Sequence, residues 1–330
     1  MCGFFCIYNS AGKLKGSEKR IRTAGRLLKH RGPDDEGFYM DDHFGVHFSR
    51  LSIMDPSDLG HQPMISFCQR YVIIFNGEIY NHLELRELFP FHAWNGTSDT
   101  ETLLTMISKV GIKETLEKIE GMFSFAIWDK QKKKITLARD KIGEKPLYYG
   151  WCNGFFVFAS ELKALTAYEN FNPELDNKSV SLYFQYGYIP GELSIYKGIK
   201  KLKPGCYIEI YKNNHNSYSE SVLNSYWDLE EVASRSNSDE FKGGIGDAIT
   251  QLNNYLSSAI DMQKNSDVPV LLLLNKIDLV EQEEVSIQIE YWKDKVPNAE
   301  ILPISALNKF NIRISIVSIF YLLLLFAICS

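Results

Sequence analysis

The chain has 330 residues, with 36 Lys and Arg against 41 Asp and Glu for a net charge of −5; 45% of it is hydrophobic and 13% aromatic. That composition excludes a disordered, collagen-like or disulfide-stapled chain and suits about two globular domains. A mildly acidic chain with no dense basic block carries no electrostatic footprint for nucleic acid, so no nucleic-acid partner is expected. Six cysteines (Cys2, Cys6, Cys68, Cys152, Cys206 and Cys329) occur without a CxxC pair, which argues against a zinc ribbon or a disulfide framework. No basic region precedes the apolar residues after Met1, so no signal peptide is read and a reducing, cytoplasmic setting is expected.

In chain order, a helix is predicted from Ser17 to Lys29, with Ile21, Ala24, Leu27 and Leu28 on one stripe. Phe48 to Ile53 and Tyr71 to Phe75 read as strands, and Asn76-Gly77 after the second also suits a hairpin turn. A second helix is predicted from Ser98 to Val110, opened by a capping box of Ser98 and Glu101. Phe123–Asp129, Ile135–Asp140, Pro146–Trp151 and Phe155–Ser160 are aromatic and β-branched runs between polar turns and read as one antiparallel meander. Without a regular βαβ rhythm, these elements predict an α+β fold. Tyr207 to Ser225 is polar and reads as a linker; Ile249, Leu252, Leu256 and Ile260 mark a further helix, and Val268 to Leu274 a buried parallel strand. His43 and His47 have HxxxH spacing, but on a strand they stand about 13 Å apart, too far to share a metal ion.

Cys2 is the most informative residue. Removal of Met1 would leave a thiol and a free α-amine on one residue, and that amine titrates at about 7.7 to 8, low enough to accept the thiol proton near neutrality. On position alone Cys2 is more simply a small residue opening a strand with Met1 retained, and the nucleophile reading rests on the residues that accompany it. Arg50 could clamp a carboxylate bidentately or make a surface ion pair. Asn76 and the Gly77 N–H could hold an oxyanion. Asp99 either favours a helix N-terminus or binds an ammonium. Together these suit a free α-amino acid with an electrophilic side chain, plausibly glutamine.

Met1-Cys2-Gly3, Arg31-Gly32-Pro33-Asp34, Arg50-Leu51-Ser52-Ile53, Asn76-Gly77-Glu78-Ile79-Tyr80-Asn81 and Ser98-Asp99-Thr100-Glu101 occur in this order. So do Ala138-Arg139-Asp140, Lys145-Pro146-Leu147-Tyr148-Tyr149, Ala159-Ser160-Glu161-Leu162-Lys163 and Lys201-Leu202-Lys203-Pro204-Gly205. In these motifs the chain resembles the class II glutamine amidotransferase domain of glutamine-hydrolysing asparagine synthetases, over about residues 1–269. The resemblance implies an N-terminal-nucleophile hydrolase fold, an αββα sandwich of antiparallel sheets. It also implies that Cys2 attacks the glutamine amide, Asn76 and Gly77 hold the oxyanion, Arg50 and the backbone near Ile53 hold the α-carboxylate, and Glu78 and Asp99 hold the α-amine. The glutaminase half needs no cofactor; ATP and Mg²⁺ serve the synthetase half of the family.

The expected domains are residues 1–205 (glutaminase), 206–269 (linker and start of the ATP domain), 270–310 and 311–330. The family's pyrophosphate-binding Ser-Gly-Gly-x-Asp-Ser loop is not in the sequence, so the ATP and Mg²⁺ site is expected to be absent and the α/β segment incomplete. Asn275-Lys276-Ile277-Asp278 and Ile304-Ser305-Ala306-Leu307 resemble instead the guanine-reading pair of small GTPases, without a GxxxxGK[ST] phosphate loop. A chimeric chain is one expectation, and a guanine-nucleotide binder with a silent glutaminase fold is the alternative function. The apolar stretch 314–329 would span about 24 Å as a helix, short of the roughly 30 Å hydrocarbon layer, so it is a weak membrane-anchor candidate. The assembly stays open, a homodimer being one option.

Overall fold

The computed structural model describes residues 1–12, 14, 16–169, 171–211, 220–236, 241–263, 267, 270–297, 299–312 and 323–328. The chain divides into two compact units, Met1–Gly243 and Gly244–Ser330. The first unit runs β1 (Gly3–Tyr8), α1 (Glu18–Arg26), β2 (Asp35–Met40), β3 (Phe44–Arg50), β4 (Met64–Ile65), β5 (Tyr71–Ile79), α2 (His82–Glu87), α3 (Asp99–Val110) and α4 (Ile112–Lys118). It continues through β6 (Gly121–Asp129), β7 (Lys134–Arg139), β8 (Tyr148–Cys152), β9 (Phe155–Ala159), α5 (Leu162–Thr166), α6 (Asn177–Tyr186), β10 (Ile199–Lys201), β11 (Cys206–Tyr211), β12 (Glu220–Ser225) and α7 (Leu229–Ser236).

Two six-stranded antiparallel sheets form, in the orders β10-β8-β9-β1-β3-β2 and β12-β11-β7-β6-β5-β4. Strand alternation sorts their side chains into three apolar layers. In β1, Phe4, Cys6 and Tyr8 enter the core between the sheets, while Phe5 and Ile7 pack with Ile21, Ala24 and Leu28 from the α1 segment. In β5, Val72 and Ile74 face the inter-sheet core, and Ile73, Phe75 and Ile79 pack with Leu103, Leu104 and Ile107 of α3. Strands buried on both faces read as unbroken apolar runs, as Phe4 to Tyr8 and Val72 to Phe75 do. Helices outside, sheets inside: the αββα sandwich stands.

Several local expectations change. The four-strand meander is two hairpins, because β6 and β7 pair in the second sheet while β8 and β9 pair in the first. Arg139 and Asp140 turn the chain between them. Asn76-Gly77 is no hairpin turn; β5 runs through it, paired Asn76 to Ser124 and Gly77 to Phe123. The capping box is half made. Ser98 accepts from the Thr100 N–H, but Glu101 takes the N–H groups of Asn95 and Gly96, which the preceding loop brings within 3.0 Å. Leu27 lies past the end of α1 and is exposed. Residues 206–225, polar enough to suggest a linker, carry β11 and β12, in which the apolar Ile208 and Ile210 still alternate into the inter-sheet core. His43 bonds the Asn9 carbonyl at 3.0 Å and buried His47 pairs with Glu36 at 2.9 Å, so both are structural.

In the second unit α8 (Ile245–Gln263) precedes β13 (Val270–Asn275), α9 (Gln282–Lys295), β14 (Ala299–Pro303) and β15 (Leu323–Ile328), with a parallel sheet ordered β14-β13-β15. Leu271 to Leu274 are buried, as the apolar run predicts, whereas Ile249, Leu252 and Leu256 of α8 are exposed. Of the apolar stretch 314–329, residues 314–322 and 329 lie outside the described residues, and 323–328 are strand. Among the described residues no helix is long and apolar enough to cross a membrane. Asn275 Oδ1 accepts from the N–H groups of Lys276 (2.8 Å) and Ala306 (3.3 Å), and the Ser305 hydroxyl donates to Asp278 at 2.5 Å.

Trp128 is the largest side chain of the inter-sheet core; it packs on Tyr8 and Phe44 and donates Nε1–H to Asp41 at 2.7 Å. Trp128→Ala is expected to lower stability by about 3–5 kcal/mol, read as a lower midpoint in urea at unchanged slope.

Candidate active site

The site lies at the end of the inter-sheet core where β1 begins, and each motif that surrounds it places one group. Cys2 sits one residue before β1. Its Sγ receives the Leu51 N–H at 3.4 Å and lies 3.6 Å from the Leu51 carbonyl. Its own carbonyl accepts from Arg31 Nε at 2.9 Å, and Arg31 Nη1 pairs with Glu161 at 2.9 Å. Gly32 follows because a Cβ there would come within 2.3 Å of the Ser49 carbonyl. The Asp34 N–H then donates to the Arg50 carbonyl at 3.0 Å, and its carboxylate accepts the Ser52 N–H at 2.8 Å. Arg31-Gly32-Pro33-Asp34 therefore fastens the start of β1 to the end of β3.

Arg50 is buried, and its Nη groups donate to the carbonyls of Met54, Asp55 and Ser57. A Cβ on Gly60 would lie 2.0 Å from Arg50 Nη2, so glycine is required for the guanidinium to fit. The clamp expected of Arg50 is thus partly spent on shaping the loop that contains half-buried Ile53. Only Nε stays outside these bonds.

On β5, period-2 alternation carries Asn76 and Glu78 to the same face as Val72 and Ile74. Asn76 is 1% exposed, and neither its Nδ2 nor its Oδ1 has a hydrogen-bond partner among the described residues. An orphaned buried amide is costly, on the order of 1–3 kcal/mol, and marks a place where a ligand completes the bonding. Gly77 opposes Phe123, whose own backbone groups are bonded to Asp140 (2.8 and 3.2 Å). The Gly77 N–H therefore faces the free side of β5, in line with the N–H groups of Phe75 and Ile79. Those two are taken by Gln62 Oε1 (2.7 Å) and Asp99 Oδ2 (2.9 Å). A Cβ on Gly77 would meet the Met122 carbonyl at 2.2 Å.

The site concentrates buried charge. Burial raises the Asp99 carboxyl to about 7, opposed by the Ile79 N–H and reinforced by the charge of Glu78. Burial also pushes Glu78 above the usual carboxylate range, against the pull of Lys145 and the terminal amine. The Cys2 thiol is pushed up by burial and drawn back by the Leu51 N–H, the terminal amine and Arg50. Cys2 is thus coupled to Arg50 and Asp99, and Asp99 to Glu78 and Arg50, while Asn76 and Gly77 precede Glu78 on β5; half-buried Ile53 lies in the loop that Arg50 holds. Among the described residues no three His, Cys, Asp or Glu side chains are placed to hold a metal ion. Sequence reasoning gave no role to Arg31 or to Lys145, which is 6% exposed beside Glu78. Both stand in the quoted motifs, but only their burial separates them from surface cations.

Two antiparallel sheets between helices, with a cysteine one residue before the first strand, define the N-terminal-nucleophile hydrolase type of fold. A family model described as a glutamine amidotransferase domain matches residues 1–227, and the chain belongs to that family. It is 33% identical over 274 residues to asparagine synthetase [glutamine-hydrolyzing] 1 of Bacillus subtilis (strain 168), covering 82% of this chain and 41% of that protein. It is 36% identical over 167 residues to asparagine synthetase [glutamine-hydrolyzing] 3 of Arabidopsis thaliana, covering 50% of this chain and 28% of that one. The chain spans less than half the length of these relatives. In fold it is similar to glutamine phosphoribosylpyrophosphate amidotransferase from B. subtilis, with a TM-score of 0.51 at 16% identity over 92% of this chain and 65% of that chain.

An acid raised in the folded state binds its proton more tightly there than in the unfolded chain, so its contribution to stability falls as pH climbs from about 4 towards 7. Asp99→Asn is expected to remove that fall: by calorimetry the variant melts above the wild type at pH 8, and the gap narrows at pH 5.

Proposed function

We propose that the first unit hydrolyses the side-chain amide of glutamine to glutamate and ammonia, with Cys2 as nucleophile once Met1 has been removed. The observation that carries this reading is a buried Asn76 amide that no protein group satisfies among the described residues, in a chain whose Cys2 sulfur is held by the Leu51 N–H and coupled to Arg50 and Asp99. The names of the relatives, glutamine-hydrolysing asparagine synthetases, point to the same substrate.

The chemistry follows from the geometry. The α-amine freed on Cys2 takes the thiol proton. An α-amine ordinarily titrates at about 7.7 to 8, so a base is available near neutrality once Met1 is removed. The sulfur adds to the amide carbon, and Asn76 Nδ2 and the Gly77 N–H receive the oxyanion. Collapse expels ammonia, which leaves with the proton held by the amine. Water, deprotonated by the same amine, then cleaves the thioester and releases glutamate. The substrate ammonium lies against Glu78 and Asp99, and its carboxylate meets Arg50 and the backbone near Ile53.

The ammonia is proposed to serve amidation of aspartate, as the names of the relatives imply. Residues 270–330 contain no Ser-Gly-Gly-x-Asp-Ser loop, so these residues are not expected to carry the ATP- and Mg²⁺-dependent amidation.

Cys2→Ser is expected to lower glutaminase activity on the order of 10⁴-fold or more, and Asn76→Ala to lower kcat about 10²–10³-fold with a smaller change in KM. The assay is ammonium and glutamate release by protein whose intact mass shows loss of Met1, together with stoichiometric labelling by an electrophilic glutamine analogue. Full activity in Cys2→Ser would end the proposal.

A second reading rests on Asn275 bracing Ala306 and on Asp278 beside Ser305, the pattern expected of a guanine-reading pair in a chimeric chain. Without a phosphate-binding loop, millimolar GTP with Mg²⁺ is expected to leave the melting temperature unchanged. A rise of several degrees without labelling of Cys2 would favour the nucleotide-binding reading.

A further inference from the structure

We propose that Lys145 is a positioning residue of the glutamine site: its buried ammonium holds Glu78 as a carboxylate, ready for the substrate's α-ammonium. The inference rests on the glutaminase reading above.

Lys145 is 6% exposed, a burial that lysine adopts only with a charged neighbour. Its place is built with care. Asp140 accepts the N–H groups of Ile142, Gly143, Glu144 and Lys145 at 2.5 to 3.2 Å. Arg139 donates to the carbonyls of Gly143, Lys145 and Leu202 at 2.6 to 2.8 Å. The loop after β7 is therefore rigid, and it ends on β5's neighbour. The Ser124 hydroxyl donates to the Pro146 carbonyl at 3.3 Å, and Ser124 stands directly opposite Asn76. Lys145 is thus delivered next to the face of β5 that bears Asn76 and Glu78.

The charges facing this ammonium are Glu78 from β5, Glu144 and Asp140 from its own loop, and Cys2 and the terminal amine from the start of the chain. Glu78 in turn faces Lys145 and the terminal amine, and it shares the site with Asp99, itself near Arg50. Two buried acids this close repel one another's charge, and an acid that stays protonated cannot pair with an ammonium. Arg50 offsets Asp99. Lys145 does the same for Glu78.

Lys145→Met should raise the pH at which Glu78 ionises. Below that pH glutamine loses a partner; above it the variant recovers. The test compares wild type, Lys145→Met and Lys145→Arg as full-length chains lacking Met1, with kcat and KM for glutamine measured from pH 6 to 9 and glutamate binding followed by calorimetry. At pH 6.5, KM of Lys145→Met is expected to rise about ten-fold, as a ten-fold tighter hold of Glu78 on its proton would give, and glutamate affinity is expected to fall in parallel. The difference should close towards pH 9, and Lys145→Arg should restore the wild-type profile. A loss of the same size at every pH, or no loss, would overturn the role. If wild type binds glutamate but releases no ammonia, hydrolysis fails while the pH-dependent binding defect of Lys145→Met still sustains this inference. If it neither binds nor hydrolyses, both fall.

Discussion

The hydrogen bond from Arg31 to the Cys2 carbonyl is the contact on which the site depends. A chain start is ordinarily the least ordered part of a domain. Here the residue before β1 is held at its carbonyl by Arg31 and at its sulfur by the Leu51 backbone. Arg31 is itself fixed by Glu161, which also pairs with Lys163 at 3.2 Å and His30 at 3.0 Å. The strength of the arrangement comes from burial and mutual orientation more than from any one bond, since exposed ion pairs contribute at most about 1 kcal/mol. Because β1 is paired to β3 and β9 on its two edges, the position of Cys2 is inherited from the middle of a six-stranded sheet.

The cluster is arranged for a ligand that carries both signs of charge. Glu78 and Asp99 sit beside Lys145 and Arg50 in a space where burial disfavours the charged forms of both acids and of the lysine. An apolar replacement would pack at lower cost, so the proposed function gives these charges a purpose: half of a network that an α-amino acid would complete. The orphaned amide of Asn76 fits the same proposal, as a donor held ready for the charge that would develop during amide cleavage.

How much of this could be read from residues alone depends on range. Periodicity gave the strands of β5 and β6 and the helix α3, because their apolar repeats act over a few residues. The order of Cys2, Arg50, Asn76, Glu78 and Asp99 pointed to a shared site, since each supplies a group that one substrate needs. Sheet membership was hidden. The step from β7 to β8 crosses between sheets at Arg139 and Asp140, whose long-range bonds no local pattern reports. Arg50 illustrates a subtler limit: a guanidinium suited to a carboxylate proved equally suited to three loop carbonyls. The polar run masked both β11, whose inward core residues Ile208 and Ile210 are few, and β12, whose Val222 and Leu223 are exposed.

The position of β1 also bears on the removal of Met1. Met1 is 53% exposed, yet Gly3 to Tyr8 form an inner strand with neighbours on both edges. On the proposed reading, the residue to be removed is thus joined through one cysteine to a strand that the sheet already holds on both sides, so freeing the Cys2 amine would alter the chain only ahead of its first ordered strand.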